Sequence, residues 1–254
     1  MQIILASAKI MNDRVKSIPD ISLSTPRFQN EADCFARDMD QYSAETIADM
    51  LGCSLQIAAQ NRMRFMRFFE DAPKLPAILA YHGQAYKHLK AETLNVDNLY
   101  YSQEKLWITS FLYGLLRPLD AILPYRMEGH VELTSGEGQN MFGFWKNRLT
   151  DNLIDAVKAD DGVLIHLATE EYQHLFDWQR VRKEVRIVQP LFYVRKGNDL
   201  KMQAVWAKTC RGAMTRFIIE NRIDKPEDLC AFSYEGFSYE PKLGEPDYPH
   251  FIKN

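Results

Sequence analysis

Short apolar runs set between longer stretches of helical pattern constrain this chain more than any other feature. Residues 2–6, QIILA, form an apolar run short enough for a buried β-strand. The run Ala77–Tyr81, entered through Pro73 and Pro76, reads as a second buried strand, and Val163–Leu167 as a third. Between them, helical pattern runs from Phe28 to about Met39, from about Val96 to Tyr113, and from about Trp145 to Lys158. A Ser/Pro-rich loop through Pro19 and Pro26 precedes the first of these helices. The segment EVRIVQPLFYVRKGNDLKMQAVW reads as a hairpin, two strand-like runs joined by Lys196-Gly197-Asn198-Asp199. A last helix is expected over about Ala207–Asn221, ahead of Pro226, with a Pro- and Tyr-rich tail behind it. Loose alternation of strand and helix with a late hairpin predicts an α/β fold, α+β being the alternative, with a mixed sheet flanked by helices. No repeat and no linker divides the sequence, so a single domain over residues 1–254 is expected.

Composition excludes several classes. The 254 residues carry 31 Lys+Arg against 34 Asp+Glu, a net charge of -3, with 46% hydrophobic residues. These values are ordinary for a globular protein and exclude a disordered or low-complexity chain. No apolar run reaches the ~18 residues that a membrane span requires. The N-terminus lacks a basic segment before its apolar run, so no signal peptide, no membrane partner and a cytoplasmic location are expected. The acidic balance gives no global basic footprint, and any nucleic-acid contact must come from a local patch. Cys34, Cys53, Cys210 and Cys230 stand far apart without a C-x-x-C pair. Free and mostly buried thiols are therefore expected. The six histidines include no i, i+4 pair, and no G-x-G-x-x-G, Walker A, H-E-x-x-H or G-x-S-x-G motif is present. No metal site and no cofactor are predicted.

Four segments place polar residues where chemistry could collect. Ser7-Ala8-Lys9 follows the first strand, and ligands gather at the carboxyl ends of strands in open α/β sheets. Lys9 is there either to meet an anion or as a surface lysine on a loop. Arg117 and Asp120 precede Tyr125-Arg126-Met127-Glu128, where an extended backbone would put Arg126 and Glu128 on one side. They form either a structural ion pair or the charged rim of a pocket. Thr169 can cap a short helix through Glu171 and Tyr172. On the late helix, Lys208, Arg211, Gly212 and Thr215 share a face at i, i+3, i+4 and i+7. An apolar stripe of Trp206, Cys210, Ala213, Met214 and Phe217 occupies another. A helix-interior glycine costs about 1 kcal/mol relative to alanine, so close packing or a ligand should justify Gly212.

A further segment is a pair of helices over residues 43–69. Ser43 can cap the first, Gly52 can end it and Ser54 can cap the second. The pair is similar to a helix-hairpin-helix, in which backbone N–H groups at the second helix start bind a DNA phosphate. Gly52, Ser54, Arg62, Arg64 and Arg67 would then face DNA, although an ordinary αα-hairpin has the same local signature.

Taken in order, SAK (Ser7–Lys9), FLYGLLRPLDAILPYRMEG (Phe111–Gly129), NMFGFW (Asn140–Trp145), HLATEEY (His166–Tyr172) and KTCRGAMTRFII (Lys208–Ile219) resemble the YaaA family of bacterial peroxide stress resistance proteins. The resemblance spans almost the whole chain. It implies a cytoplasmic protein that lowers iron-dependent damage during peroxide stress, with a positively charged cleft, a helix-hairpin-helix element and duplex or distorted DNA as partner. It transfers no catalytic residues. Departures from the family pattern are Gln84 where an acidic residue is usual, Gly129-His130-Val131-Glu132 in place of Met-Gly-Thr-Lys, and His166 and Thr169 in place of Asn and Ser. Lys9, Arg117, Arg126, Lys208 and Arg211 are the expected anion-binding set. In the alternative of an enzyme for a small anionic, nucleotide- or nucleobase-like ligand, Glu128, Tyr125 and Glu171 are the catalytic candidates. Direct iron binding is the third reading, and a monomer is favoured.

Overall fold

A computed structural model describes residues 1–14 and 21–254, so the expected loop is seen only in part and Pro19 lies outside it. The first strand forms as read, β1 (Gln2–Ala6). Helix α1 (Gln29–Asp40) buries Ala32, Phe35, Ala36 and Met39, an i, i+3, i+4, i+7 stripe. In α2 (Ala44–Leu51) the Ser43 hydroxyl accepts the Thr46 N–H at 3.2 Å, and Gly52 ends the helix in the left-handed region at φ 55°. Ser54 accepts the Ile57 N–H at 3.4 Å and starts α3 (Leu55–Met66).

The expected strand over Ala77–Tyr81 does not form. Only β2 (Leu75–Pro76) is extended, and Ala77–Ala80 make the single helical turn α4. The first donors of that turn find carbonyls outside it, Ala77 N–H on Asp120 O and Ile78 N–H on Pro118 O. A short, wholly buried apolar run has no periodicity to separate the two states. Helix α5 (Gln84–Leu89) follows. Helix α6 (Val96–Lys105) stops at Lys105, not at Tyr113, because residues 106–110 leave it as β3 (Leu106–Ser110) to pair with β1. Next come β4 (Gly114–Leu116), β5 (Ala121–Ile122), which pairs with β2, and α7 (Met141–Ala159). This last helix begins ahead of Trp145 because Asn140 caps it, accepting the Gly143 N–H at 3.0 Å. Strand β6 (Val163–Leu167) forms as read. Thr169 precedes a 3₁₀ turn over Glu170–Leu175 but makes no side-chain cap bond.

The expected hairpin is divided between two sheets. After α8 (Trp178–Glu184), β7 (Arg186–Val188) runs parallel to β6, while β8 (Leu191–Lys196) and β9 (Asp199–Lys201) make the hairpin about Gly197. Helix α9 (Ala204–Asn221) leads to the tail, which is not irregular. It folds as β10 (Ser233–Tyr234), β11 (Phe237–Glu245) and β12 (Tyr248–Lys253). The chain is thus an α/β protein with two mixed sheets, β4-β3-β1-β6-β7 and β10-β11-β12-β8-β9, flanked by helices. In the first sheet β1, β3, β6 and β7 are parallel, so the carboxyl ends of β1 and β6 open side by side. Helix α9 packs on α5 and reaches strands of both sheets.

All four cysteines are free, and the expectation of mostly buried thiols fails. Cys34 is exposed, Cys53 and Cys230 are half-buried, and only Cys210 is inside. Burial pushes its thiol up to about 12. No helix among the described residues is long and apolar enough to cross a membrane.

Candidate functional site

At the carboxyl ends of β1 and β6 a cavity of about 290 Å³ opens between the sheet, α5 and α9. Its polar wall comes from four places: Ser7 and Lys9 after β1, Gln84 at the start of α5, Thr169, Glu171 and Tyr172 after β6, and Lys208 and Arg211 on α9. Backbone contact fixes the walls. The Tyr86 hydroxyl donates to Ala6 O at 3.0 Å, tying α5 to the end of β1. A Cβ added at Gly83 would stand 2.7 Å from the Cβ of Ala8, so the glycine lets the α5 entry meet the loop after β1. A Cβ added at Gly212 would lie 1.8 Å from Ala85 O. The helix-interior glycine is thus explained by close crossing of α5 and α9, which brings Gln84 beside Lys208 and Arg211. Gln84 Nε2 donates to Thr209 Oγ1 at 2.8 Å and lies 3.2 Å from His88 Nε2, whose Nδ1 is 2.9 Å from the Tyr234 hydroxyl.

Cations and carboxylates divide unequally over this space. Lys208 is exposed and Arg211 half-buried, and among the described residues neither has a hydrogen-bond or ion-pair partner for its side chain. Burial pushes the Arg211 pKa down, with Glu170 acting the other way. Lys9 and Arg126, in contrast, converge on Glu128: Lys9 Nζ is 2.7 Å from Oε2 and Arg126 Nη2 is 3.0 Å from Oε1. The Glu128 side chain is only 5% exposed while that of Lys9 is 57% exposed. Arg126 and Glu128 therefore share a side of the chain as their spacing predicts, and they are both ion pair and pocket wall. The contact on Oε1 falls short of hydrogen-bond alignment, and Oε1 and Arg126 Nε are buried without a hydrogen-bond partner. A recess of about 10 Å³ beside them shares Ser7, Ala8, Lys9 and Tyr172 with the main cavity.

Aromatic hydroxyls back this recess. Tyr172 stacks on Phe111 with centroids 4.9 Å apart, and its hydroxyl is 3.0 Å from Ser7 Oγ. Tyr125 is buried, with its hydroxyl 2.6 Å from Ser110 Oγ and 2.8 Å from the Tyr81 hydroxyl. Burial pushes Tyr125 up to about 12 against the opposing effect of its Ser110 and Tyr81 hydrogen bonds, so it stays a neutral phenol. Glu171 is exposed at the cavity mouth.

Arg117 does not join this set. Its guanidinium lies 3.2 Å over the Trp107 ring and donates to Gln2 Oε1, Glu104 O and Leu106 O, each at 3.3 Å. Gln2 opens β1, so Arg117 sits at the amino end of the strand and the cavity at the other. Burial lowers its pKa to about 10, with Asp120 and Glu104 acting the other way.

The helical pair α2–α3 lies beside the same region. Gly52, Ser54, Leu55, Gln56 and Ile57 are exposed at its turn. Its arginines differ in role: Arg62 Nε donates to Tyr42 O at 3.1 Å, Arg64 pairs with Asp13 at 2.6 Å, and Arg67 is exposed without a side-chain partner among the described residues. The residue that couples this pair to the site is Asn61, which the sequence reading passed over. Buried to 1%, it donates from Nδ2 to Arg126 O at 2.9 Å and accepts the Arg126 N–H on Oδ1 at 2.8 Å. Its signal was a polar side chain on the buried face of α3, between Ala58 and Phe65. A groove of about 170 Å³, lined by Lys9, Arg64 and Arg126 together with Asp13, Asn61, Gln60 and the apolar Ile10, Met11 and Ile57, runs from α3 to the cavity mouth.

The chain resembles known proteins over nearly its full length. The family described as peroxide stress protein YaaA matches residues 1–243. A UPF0246 protein of Phocaeicola vulgatus is 47% identical over 241 residues, 94% of each chain. One from Bacteroides thetaiotaomicron is 42% identical over 96% of this chain and 95% of its own. A more distant relative from Cereibacter sphaeroides is 38% identical over 92% and 91%. The chain belongs to the YaaA family of peroxide stress proteins, and that membership supports a role in oxidative stress.

Proposed function

We propose that this protein serves the oxidative-stress response by binding DNA, with α2–α3 seated on the phosphate backbone and the groove beside α3 receiving the strand. The observation that carries this reading is the double hydrogen bond between Asn61 and Arg126. It fastens the hairpin's second helix to the loop that bears Arg126 and Glu128, so α3 forms one wall of the groove that holds Lys9, Arg64 and Arg126 alongside Asp13. Gly52 in the left-handed region ends α2 and the Ser54 cap starts α3, and the exposed start of α3 is where a phosphate would sit in this reading. Arg67 adds an exposed cation beyond that turn, and Lys9 one at the far end of the groove. A net charge of -3 opposes nucleic acid in general, so binding rests on this local set and falls steeply with salt.

In this reading, iron-dependent damage is limited at the DNA itself. The test is fluorescence anisotropy of a labelled paired duplex and a mismatched duplex, titrated across a salt series. Saturable binding with a clear salt slope, weakened by Arg67→Ala, is expected. A flat response at ~50 mM salt, where phosphate contacts are strong, overturns the proposal.

A further inference from the structure

We infer that the cavity is a receptor for one nucleotide unit, its phosphate on Lys208 and Arg211 and the N–H edge of its base toward Glu128. The inference rests on the DNA-binding reading and adds the chemistry of what enters the cavity. Three features meet here. Lys208 and Arg211 are cations without an ion-pair partner among the described residues, on one face of α9, where an anion is the missing complement. Past the Ser7–Lys9 and Tyr172 wall that the cavity shares with the small recess lies Glu128, 95% removed from solvent, its Oε1 3.0 Å from Arg126 Nη2 but without an aligned hydrogen bond. Between them lie the phenol walls of Tyr86 and Tyr172. A ligand that satisfies all three is anionic at one end, flat in the middle and a hydrogen-bond donor at the other.

A nucleoside monophosphate has that order of groups. A carboxylate accepts only, so it favours a base edge with adjacent N–H donors, as guanine has, over adenine, which places a ring acceptor beside its amino group. Size agrees: a cavity of about 290 Å³ sits at the ~300 Å³ lower end of small-molecule sites and is small for a dinucleotide. The exposed Lys9 ammonium can leave Glu128 Oε2 for solvent as the base edge arrives, while Arg126 Nη2 stays beside Oε1.

The source is either a free nucleotide or one turned out of a strand, and titration calorimetry on the full chain separates them. dGMP is expected to bind at least about tenfold more tightly than inorganic phosphate and than dAMP, the scale of one charge-assisted hydrogen bond. Glu128→Gln should erase the dGMP-over-dAMP preference. Lys208→Met, at an exposed position that tolerates substitution, should weaken dGMP and phosphate alike. If the nucleotide comes from DNA, a duplex with guanine opposite an abasic site binds better than the paired duplex and dGMP competes for it. If it is free, the two duplexes bind equally. Arg67→Ala should lower duplex affinity and leave dGMP untouched, so the hairpin and the cavity fail independently. Equal binding of dGMP and phosphate, or no dGMP binding together with no abasic preference, overturns the inference.

Discussion

Asn61 and Arg126 exchange both hydrogen bonds of a strand pair although Asn61 belongs to a helix: the amide donates to the Arg126 carbonyl at 2.9 Å and accepts its N–H at 2.8 Å. The side chain stands in for a neighbouring strand's backbone and fixes Arg126 in the loop where its guanidinium meets Glu128. This contact ties α3 directly to the loop that bears Glu128, beside the Arg64–Asp13 and His130–Met50 contacts that also join the hairpin to this region.

Asn61→Ala would leave the carbonyl and the N–H of the half-buried Arg126 without these partners. At roughly 1–3 kcal/mol for each, destabilisation of about 2–6 kcal/mol is expected. In a chain of this size that lowers the thermal midpoint by several degrees or more. Duplex affinity should fall more than an exposed α3 substitution such as Gln60→Ala produces. An unchanged midpoint would mean that the amide pair carries no load.

Gly212→Ala runs against helix propensity. Alanine normally gains about 1 kcal/mol over glycine inside a helix. Here the new Cβ would stand 1.8 Å from a backbone carbonyl oxygen, so α5 must move away by more than an ångström. Overpacking of this kind costs about 1–3 kcal/mol and exceeds the propensity gain. Thermal unfolding of the variant should therefore occur at lower temperature than wild type, and a rise would rule out the close α5–α9 crossing.

Much of this architecture was legible because its signals are local. Ser43, Gly52 and Ser54 set the ends of α2 and α3 through side-chain caps and a positive φ, and both are readable in the sequence. Lys9 stood out after an apolar strand, and Lys208 and Arg211 stood out around a glycine that helix propensity disfavours. Residues 106–110 were not legible as a strand, because they continue a helical stretch and only pairing with β1 decides their state. The tail gave no strand signal because β11 is largely exposed along its length and owes its form to β12. Asn61 escaped for a related reason: a single amide in a helix looks the same whether it faces water or a buried backbone. Arg117 was misplaced since its sequence neighbours gave no hint that it reaches back to Gln2 at the far end of β1.

His166 gives the fold an acid-sensitive point. Its ring is buried against Trp178 at 5.0 Å, and burial, with repulsion from Arg211 and Arg182, lowers its pKa to about 3. The unfolded chain takes up this proton near the ordinary value of 6.5, the folded chain only near 3. Between those limits the unfolded state binds more proton, so stability is full above about pH 6.5 and declines as pH falls, at up to about 1.4 kcal/mol per unit. His166→Asn removes the titration. Urea midpoints from pH 7 to 4 should fall less for the variant than for wild type, and parallel curves would exclude His166 as their source.

The three arginines of α3 and its end should separate by salt dependence rather than by affinity alone. Arg67 is exposed without a side-chain partner among the described residues, so in DNA binding it contributes a phosphate contact and the release of its counterions. Arg67→Ala should reduce the slope of log affinity against log salt by about 0.9 and leave thermal stability within about 0.5 kcal/mol. Arg64 is already neutralised by Asp13, so Arg64→Ala should change the slope by less, because the pair must part before phosphate is met. Arg62 donates to Tyr42 O, and Arg62→Ala should lower stability before it touches the slope. Three equal slope changes would place all three guanidiniums on DNA and discard the structural roles of Arg62 and Arg64. No change for Arg67→Ala would move the phosphate track off this end of α3 and onto Lys9 and the groove.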